Sequence, residues 1–294
     1  MKRIKSLVLS VLASSILLTV TNSTAFAEQI ILNPDGSKPC IVYPLDPTSK
    51  LIADQKQNLA KMHMDAKLGK ISGSYVNSSE KNFQDKYGSK KRALTLNSSK
   101  PNTQLMSLSV QATSSYSWNS ISSLLQQSQI NSYYCGPATA VEILGSKGVY
   151  ISQNTAASSL GTTTNGTDWY NGSIYPMQAT LNSYENGYWY ITYGTNIDAS
   201  TFQNDVVYDI DNGYGVAGDA WEVPGGPHLV GHPTNRTIFH WFAIDGYSNY
   251  GSTTHYADSV YGASSISWSG NVPQYSNLAS TTIAQIVNGR GIIW

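Results

Sequence analysis

The chain has 294 residues, of which 40% are hydrophobic and only 12% charged, with 20 tyrosines; this composition excludes a charge-rich disordered chain and a coiled coil. The formal net charge of zero hides a segregation: residues 1–27 carry three basic groups and no acid, residues 28–112 twelve basic and seven acidic groups, and residues 113–294 only Lys147, Arg236 and Arg290 against eleven acids. A C-terminal domain this acidic offers no footprint for a phosphate backbone, so nucleic-acid binding is not expected.

In chain order, residues 1–27 read as a signal peptide. Lys2, Arg3 and Lys5 precede an apolar run from Leu7 to Val20, and Ala25-Phe26-Ala27 is a small-x-small cleavage site. The run falls short of the roughly 20 residues needed to span a bilayer. The expectation is therefore a secreted protein, extracellular or in the cell wall, with no stable membrane insertion once the signal is removed. Residues 28–112 read as a basic, weakly structured pro-region or linker. Only Leu51, Ile52, Leu59, Met62 and Leu68 fall on a loose helical stripe, and residues 69–100 are rich in Ser, Asn and Lys. The Lys90-Lys91-Arg92 cluster is a protease target. A positive segment ahead of a negative domain predicts docking in cis, as an intramolecular inhibitory propeptide. A sharper version pairs Cys40 with Cys135 in a disulfide that masks the thiol.

Residues 113–294 read as one α+β domain. Trp118, Ile121, Leu124 and Leu125 lie at helical spacing. Cys135–Ser146 reads as a helix, with Pro137 in its first turn and Gly145 and Gly148 at its stop. A Gly-Thr-Asn-rich loop over 160–172 precedes more helix, and strands are expected over 188–193, 215–220, 237–247, 254–260 and 266–268.

The chemistry centres on Cys135, whose place at a helix start favours a thiolate. A base is available in His240. His240 and Asp258 lie nine residues either side of Asn249, so a hairpin centred there makes them approximate cross-strand neighbours. Asp245 differs from His240 by an odd number along one strand and is expected on the other side. His228 and His232 lie among Pro and Gly in a loop, His255 has the wrong parity with Asp258, and His63 lies outside the domain. For an oxyanion, Gln129 lies six residues before the thiol, with Gln126 and Gln127 as nearby rivals. No CxxC or HxxxH spacing supports a metal, and no cofactor is expected.

The ordered set Gln129, Cys135-Gly136, His240 and Asp258, with Tyr-Tyr-Cys-Gly-Pro-Ala around the thiol, resembles the papain-like cysteine peptidases. Within these it is most similar to the family-39 peptidases, which include the double-glycine leader peptidase domains of bacteriocin exporters and many secreted bacterial proteins. The stretch Leu160-Gly161-Thr162 to Gly166-Thr167 resembles the secreted branch. The resemblance implies a helical part carrying the Cys helix, packed on a C-terminal antiparallel sheet carrying His and Asp. It also implies Cys135 as nucleophile, His240 as base, Asp258 as its orienter and Gln129 as oxyanion donor, acting on a peptide or protein substrate. Two departures separate the chain from the exporter domains: Ser259 follows Asp258 where they have Pro, and Tyr134 precedes Cys-Gly where they have Asp. A Cys-dependent acyltransferase or transglutaminase-like enzyme would use the same side chains. A catalytically silent module would instead grip cell-wall glycan or peptide with Tyr170, Tyr175, Trp189, Tyr190, Trp221 and Trp241, though such aromatics also fill ordinary cores. The acidic domain favours basic or neutral peptides.

Overall fold

The computed structural model describes Lys38 and residues 42–90 and 116–294. The expected signal peptide, Cys40, and Lys91 and Arg92 of the basic cluster lie outside the described residues. Helix α1 (Pro47–Lys67) begins where Asp46 accepts hydrogen bonds from the N–H groups of Thr48 (2.9 Å) and Ser49 (3.0 Å), with Pro47 in the first turn. Its buried stripe is Ile52, Lys56, Leu59, Ala60, His63, Met64 and Lys67. The apolar pattern alone pointed elsewhere, since Leu51 and Leu68 are exposed.

Three of those buried residues are basic because helix α6 (Ala199–Asp211) presents carboxylates to them. Lys56 Nζ lies 2.8 Å from Asp209 with both side chains fully buried, Lys67 lies 2.9 Å from Asp211, and Gln57 donates to Asp205 at 2.6 Å. The rings of Trp189 and Trp294 close on the Lys56 ammonium, at 4.5 and 4.4 Å to their centroids.

The expectation of a weakly structured segment is corrected over residues 73–87, which form helix α2 (Gly73–Tyr87). Its stripe of Val76, Glu80, Phe83 and Tyr87 is too sparse to register as a period in a polar text. Phe83 packs edge-on against Trp189, and Glu80 bonds His63 at 2.6 Å. The opposite charges do dock in cis, on α6.

The remaining helices are α3 (Cys135–Ser146), α4 (Gln153–Leu160), α5 (Pro176–Glu185) and α7 (Ser280–Val287). Strands are β1 (Asn119–Ser120), β2 (Thr192–Tyr193), β3 (Val216–Glu222), β4 (Ile238–Ser248), β5 (Thr253–Ala257), β6 (Tyr275–Ala279) and β7 (Gly291–Ile293). They form one antiparallel sheet in the order β2-β7-β3-β4-β5-β6, with β1 pairing the far end of β4. The fold is α+β, as expected. Differences are local. The Trp118–Leu125 set forms β1 and turns rather than a helix, because Trp118 and Leu125 are exposed while Leu124 alone is deeply buried. Residues 266–268 are turn, and most of 188–193 is not strand. Of the aromatics considered for a binding face, Tyr175, Trp189, Tyr190, Trp221 and Trp241 are buried and belong to the packed interior.

Two outcomes are expected from the α1–α6 junction. Lys56→Met strips Asp209 of its counter-ion in a dry environment and should destabilise the protein by about 3–5 kcal/mol in denaturant titrations. His63 bonds Glu80 through Nδ1 and Asp211 through Nε2 at 2.8 Å. Burial lowers its pKa, but the two carboxylates outweigh this and raise it from 6.5 to about 9. The folded value is the higher one, so this contribution is complete below about pH 6.5 and is lost as pH rises through about 9. The thermal midpoint should fall between pH 7 and pH 9.5, and His63→Gln should flatten that part of the curve.

Candidate active site

Helix α3 is buried from Cys135 through Leu144, which roots the thiol at its first position in the interior. The N–H groups of its first turn have no partner within the helix. Gly136 is required by close approach: a Cβ there would lie 2.2 Å from Thr167 Oγ1. Its absence lets the loop after α4 lie on the start of α3, where Trp241 donates to the Thr167 carbonyl at 3.1 Å.

His240 and Asp258 meet as the hairpin argument expects, though by a different register. A bulge at Asp245 shifts the β4–β5 ladder so that Ala243 faces Ala257. Carrying that register one step further sets Phe242, not His240, opposite Asp258, and His240 reaches it as a diagonal neighbour. The contact is direct, with His240 Nε2 3.0 Å from Asp258 Oδ1. Nε2 being taken, Nδ1 is the ring nitrogen left over, and Cys135 stands near enough to the ring to raise its pKa. Burial pushes the His240 pKa down, but Asp258 and Cys135 more than reverse this and hold it well above the ordinary histidine value.

Asp258 is fully buried, yet its pKa is depressed. Burial favours its neutral form, and this is outweighed by His240 and His232. Oδ1 also accepts the Val260 N–H at 2.9 Å, while Oδ2 accepts from His232 Nε2 at 3.0 Å. His232 was passed over in the sequence because it sits in the β3–β4 connection. The structure brings it to Asp258, and through Nδ1 to Glu222 Oε2 at 2.9 Å. The legible signals were the acidic end of β3 and the Gly231-His232-Pro233 run. Gly231 has φ of +83°, and a Cβ there would lie 2.2 Å from the Asn271 carbonyl oxygen.

Gln129 is buried and tied to the same turn. Its N–H donates to the Ser259 carbonyl at 2.9 Å, its Oε1 accepts from Ser259 Oγ at 3.1 Å, and its Nε2 donates to the Asn131 carbonyl at 2.8 Å. One amide hydrogen is left over. Gln126 spends both of its own on the carbonyls of Asp258 and Tyr261, and Gln127 is exposed. Elsewhere, Asp245 stands at the bulge, where burial raises it to about 6. His228 rests on the carbonyls of Gly226 and Arg236, and His255 lies beside Ser248.

His232, His240 and Asp258 also bring three metal-type ligand atoms within 4.8 Å of one another. We read them as a hydrogen-bonded chain, because each imidazole Nε2 lies on its own oxygen of Asp258 and the remaining His232 nitrogen lies on Glu222.

Residues 121–283 match the model of the peptidase C39-like family. Among curated proteins no significant match is found. The matched span exceeds half of the chain and contains the thiol, both imidazoles and Asp258, and it ends inside α7. The chain belongs to the peptidase C39-like family.

Proposed function

We propose that the protein is a secreted, papain-like cysteine peptidase or amidase that cleaves peptide bonds through Cys135, His240 and Asp258. The observation that carries this reading is the single chain of contacts from Asp258 through His240 to Cys135, rooted in α3 on one side and the sheet on the other. Family membership supports a peptidase; the residue roles follow from the geometry and general thiol chemistry.

The raised pKa of His240 suits it to take the Cys135 thiol proton on Nδ1 and hold it. Sγ of Cys135 attacks the scissile carbonyl carbon. The developing oxyanion takes hydrogen bonds from the Cys135 N–H and the uncommitted Gln129 amide hydrogen. His240 then passes its Nδ1 proton to the leaving amine, and the C–N bond breaks to give an acyl-enzyme. Water, deprotonated by His240, attacks the thioester and releases the acid. Asp258 keeps the imidazole in the tautomer and plane that present Nδ1 to sulfur throughout. Asp258 has no exposed surface, so water is kept from the carboxylate.

The helical pair α1–α2 makes its ion pairs with α6 rather than with the site residues. That arrangement supports a role in holding the fold, in place of an inhibitory cover.

Two outcomes test the reading. Iodoacetamide should modify Cys135 of wild type at neutral pH far faster than a free thiol, and His240→Ala should slow this at least tenfold by intact-mass kinetics. Equal rates in the two proteins, or a wild-type rate no higher than that of a free thiol, would overturn the peptidase assignment. Once a peptide substrate is in hand, Gln129→Ala should lower kcat by about 10²–10³ with little change in KM, whereas Gln127→Ala should leave kcat unchanged.

A further inference from the structure

We propose that His232 is a positioning residue of this site: held as an imidazolium between Glu222 and Asp258, it locks the orientation of Asp258 and thereby the plane of the His240 ring. The inference rests on the reading of Asp258 and His240 as working parts of a peptidase, and goes beyond it by adding a second imidazole and a second carboxylate behind the thiol.

Carboxyl groups that are both ionised only accept, and an imidazole with Nδ1 2.9 Å from Glu222 Oε2 and Nε2 3.0 Å from Asp258 Oδ2 then carries a hydrogen on both nitrogens. Glu222 is fully committed, since its other oxygen accepts the Leu229 N–H at 2.7 Å. For Asp258, Oδ1 already serves His240 and Val260, while Oδ2 has His232 as its named partner. Without that bond a buried carboxylate oxygen would lose its partner and the group could turn about its Cβ–Cγ bond.

The segment carrying His232 is itself pinned. Val230 N–H bonds Tyr256 Oη at 3.0 Å, and the Trp268 ring stands edge-on to the imidazole with centroids 4.7 Å apart. Glu222, His232 and Asp258 are all buried, so these hydrogen bonds do not compete with bulk water.

Charge explains why four ionisable groups tolerate one dry space. Glu222, His232, Asp258 and His240 alternate in sign along the chain of contacts. The groups facing it from neighbouring elements add little net charge. From α3 come Cys135 and Glu142, the latter with its pKa pushed well above the usual carboxylate range by burial. From β3 comes Asp219, raised by burial to about 7 against the pull of Arg290. Asp245 raises the pKa of Glu142 further, and Glu222 raises that of Lys38. His232 and His240 stand with ring centroids 5.1 Å apart, so a positive His232 makes a positive His240 easier to deprotonate.

Glu222→Gln isolates the charge from the shape. A glutamine amide can accept from Leu229 and donate to Nδ1 of a neutral His232, whose Nε2–H still reaches Asp258. In full-length protein, imidazole nitrogen NMR between pH 5 and pH 9 should show both His232 nitrogens protonated at pH 7 in wild type, and only one in Glu222→Gln at the same pH. A wild-type His232 that is neutral at pH 7 would overturn the proposal. In parallel, the pH profile of Cys135 alkylation should move: in Glu222→Gln the high-pH limb should rise by about half a pH unit or more, with an unfolding midpoint near that of wild type. His232→Gln should slow alkylation at pH 7 about tenfold or more, with thermal unfolding still cooperative. Profiles superimposable on wild type in both folded variants would also overturn the positioning role. A wild-type thiol no faster than a free thiol defeats the peptidase reading itself, and with it the catalytic consequence, while the NMR arm still decides the protonation of His232.

Discussion

Asp258 is a carboxylate with no exposed surface whose pKa is nevertheless held below the ordinary range, and the C-terminal half of the molecule is arranged around it. An isolated buried charge of this kind is strongly unfavourable and would normally be relieved by protonation. Here three donors converge on it from three different segments: His240 from β4, His232 from the β3–β4 connection, and the Val260 N–H from the turn after β5. Each segment is thereby drawn to the end of β5. The Gln129 loop joins them through Ser259, which bonds both the backbone and the side chain of Gln129. The carboxylate thus organises polar groups that would otherwise lie on separate loops.

A second set of buried charges ties the N-terminal helices to the domain. The junction of α1 with α6 is unusual in placing Lys56, His63 and Lys67 on the buried stripe, each against an acid. Hydrophobic contact alone would hold two helices in several registers; charges that must pair or remain desolvated select one. The segregation of basic residues before position 112 and acidic residues after it therefore has a structural expression. It is a complementary surface between two parts of one chain, and it forms on α6 rather than at the thiol.

What was legible in the sequence, and what was not, divides along physical lines. Helix α3 was readable because Pro137, the apolar stripe and the closing glycines agree locally. The hairpin joining His240 to Asp258 was readable from symmetry about Asn249, but the bulge at Asp245 was not. The pairs nearest the turn, Gly246 with His255 and Tyr247 with Thr254, centre the hairpin between residues 250 and 251 rather than on Asn249, and the bulge brings the pairing back by one, so the correct pair was reached by an argument whose register was off by two. Helix α2 was missed because its buried face holds only four residues, one of them a glutamate paired to His63. Strand β7 was missed because three residues between β2 and β3 carry too little pattern. His232 was discounted because it lies in a Gly- and Pro-rich loop, and loop composition carries no information about where a loop's side chain ends up.

That last omission bears on how such sites are built. A histidine–aspartate pair carried by neighbouring strands and their ends is specified by local alternation, and so can be found by counting. The group that fixes the pair's carboxylate comes from a fifteen-residue connection between β3 and β4, covering positions 223–237. Its position is set by tertiary contacts: Leu229 to Glu222, Val230 to Tyr256, and the close passage of Gly231 beside Asn271. None of these is periodic, yet together they hold an imidazole within 3.0 Å of the one free oxygen Asp258 has to offer. Orientation of the His240 ring is therefore set by the loop's packing as much as by the sheet, and changes in residues 223–237 should act on the reactivity of Cys135 without touching either Cys135 or His240.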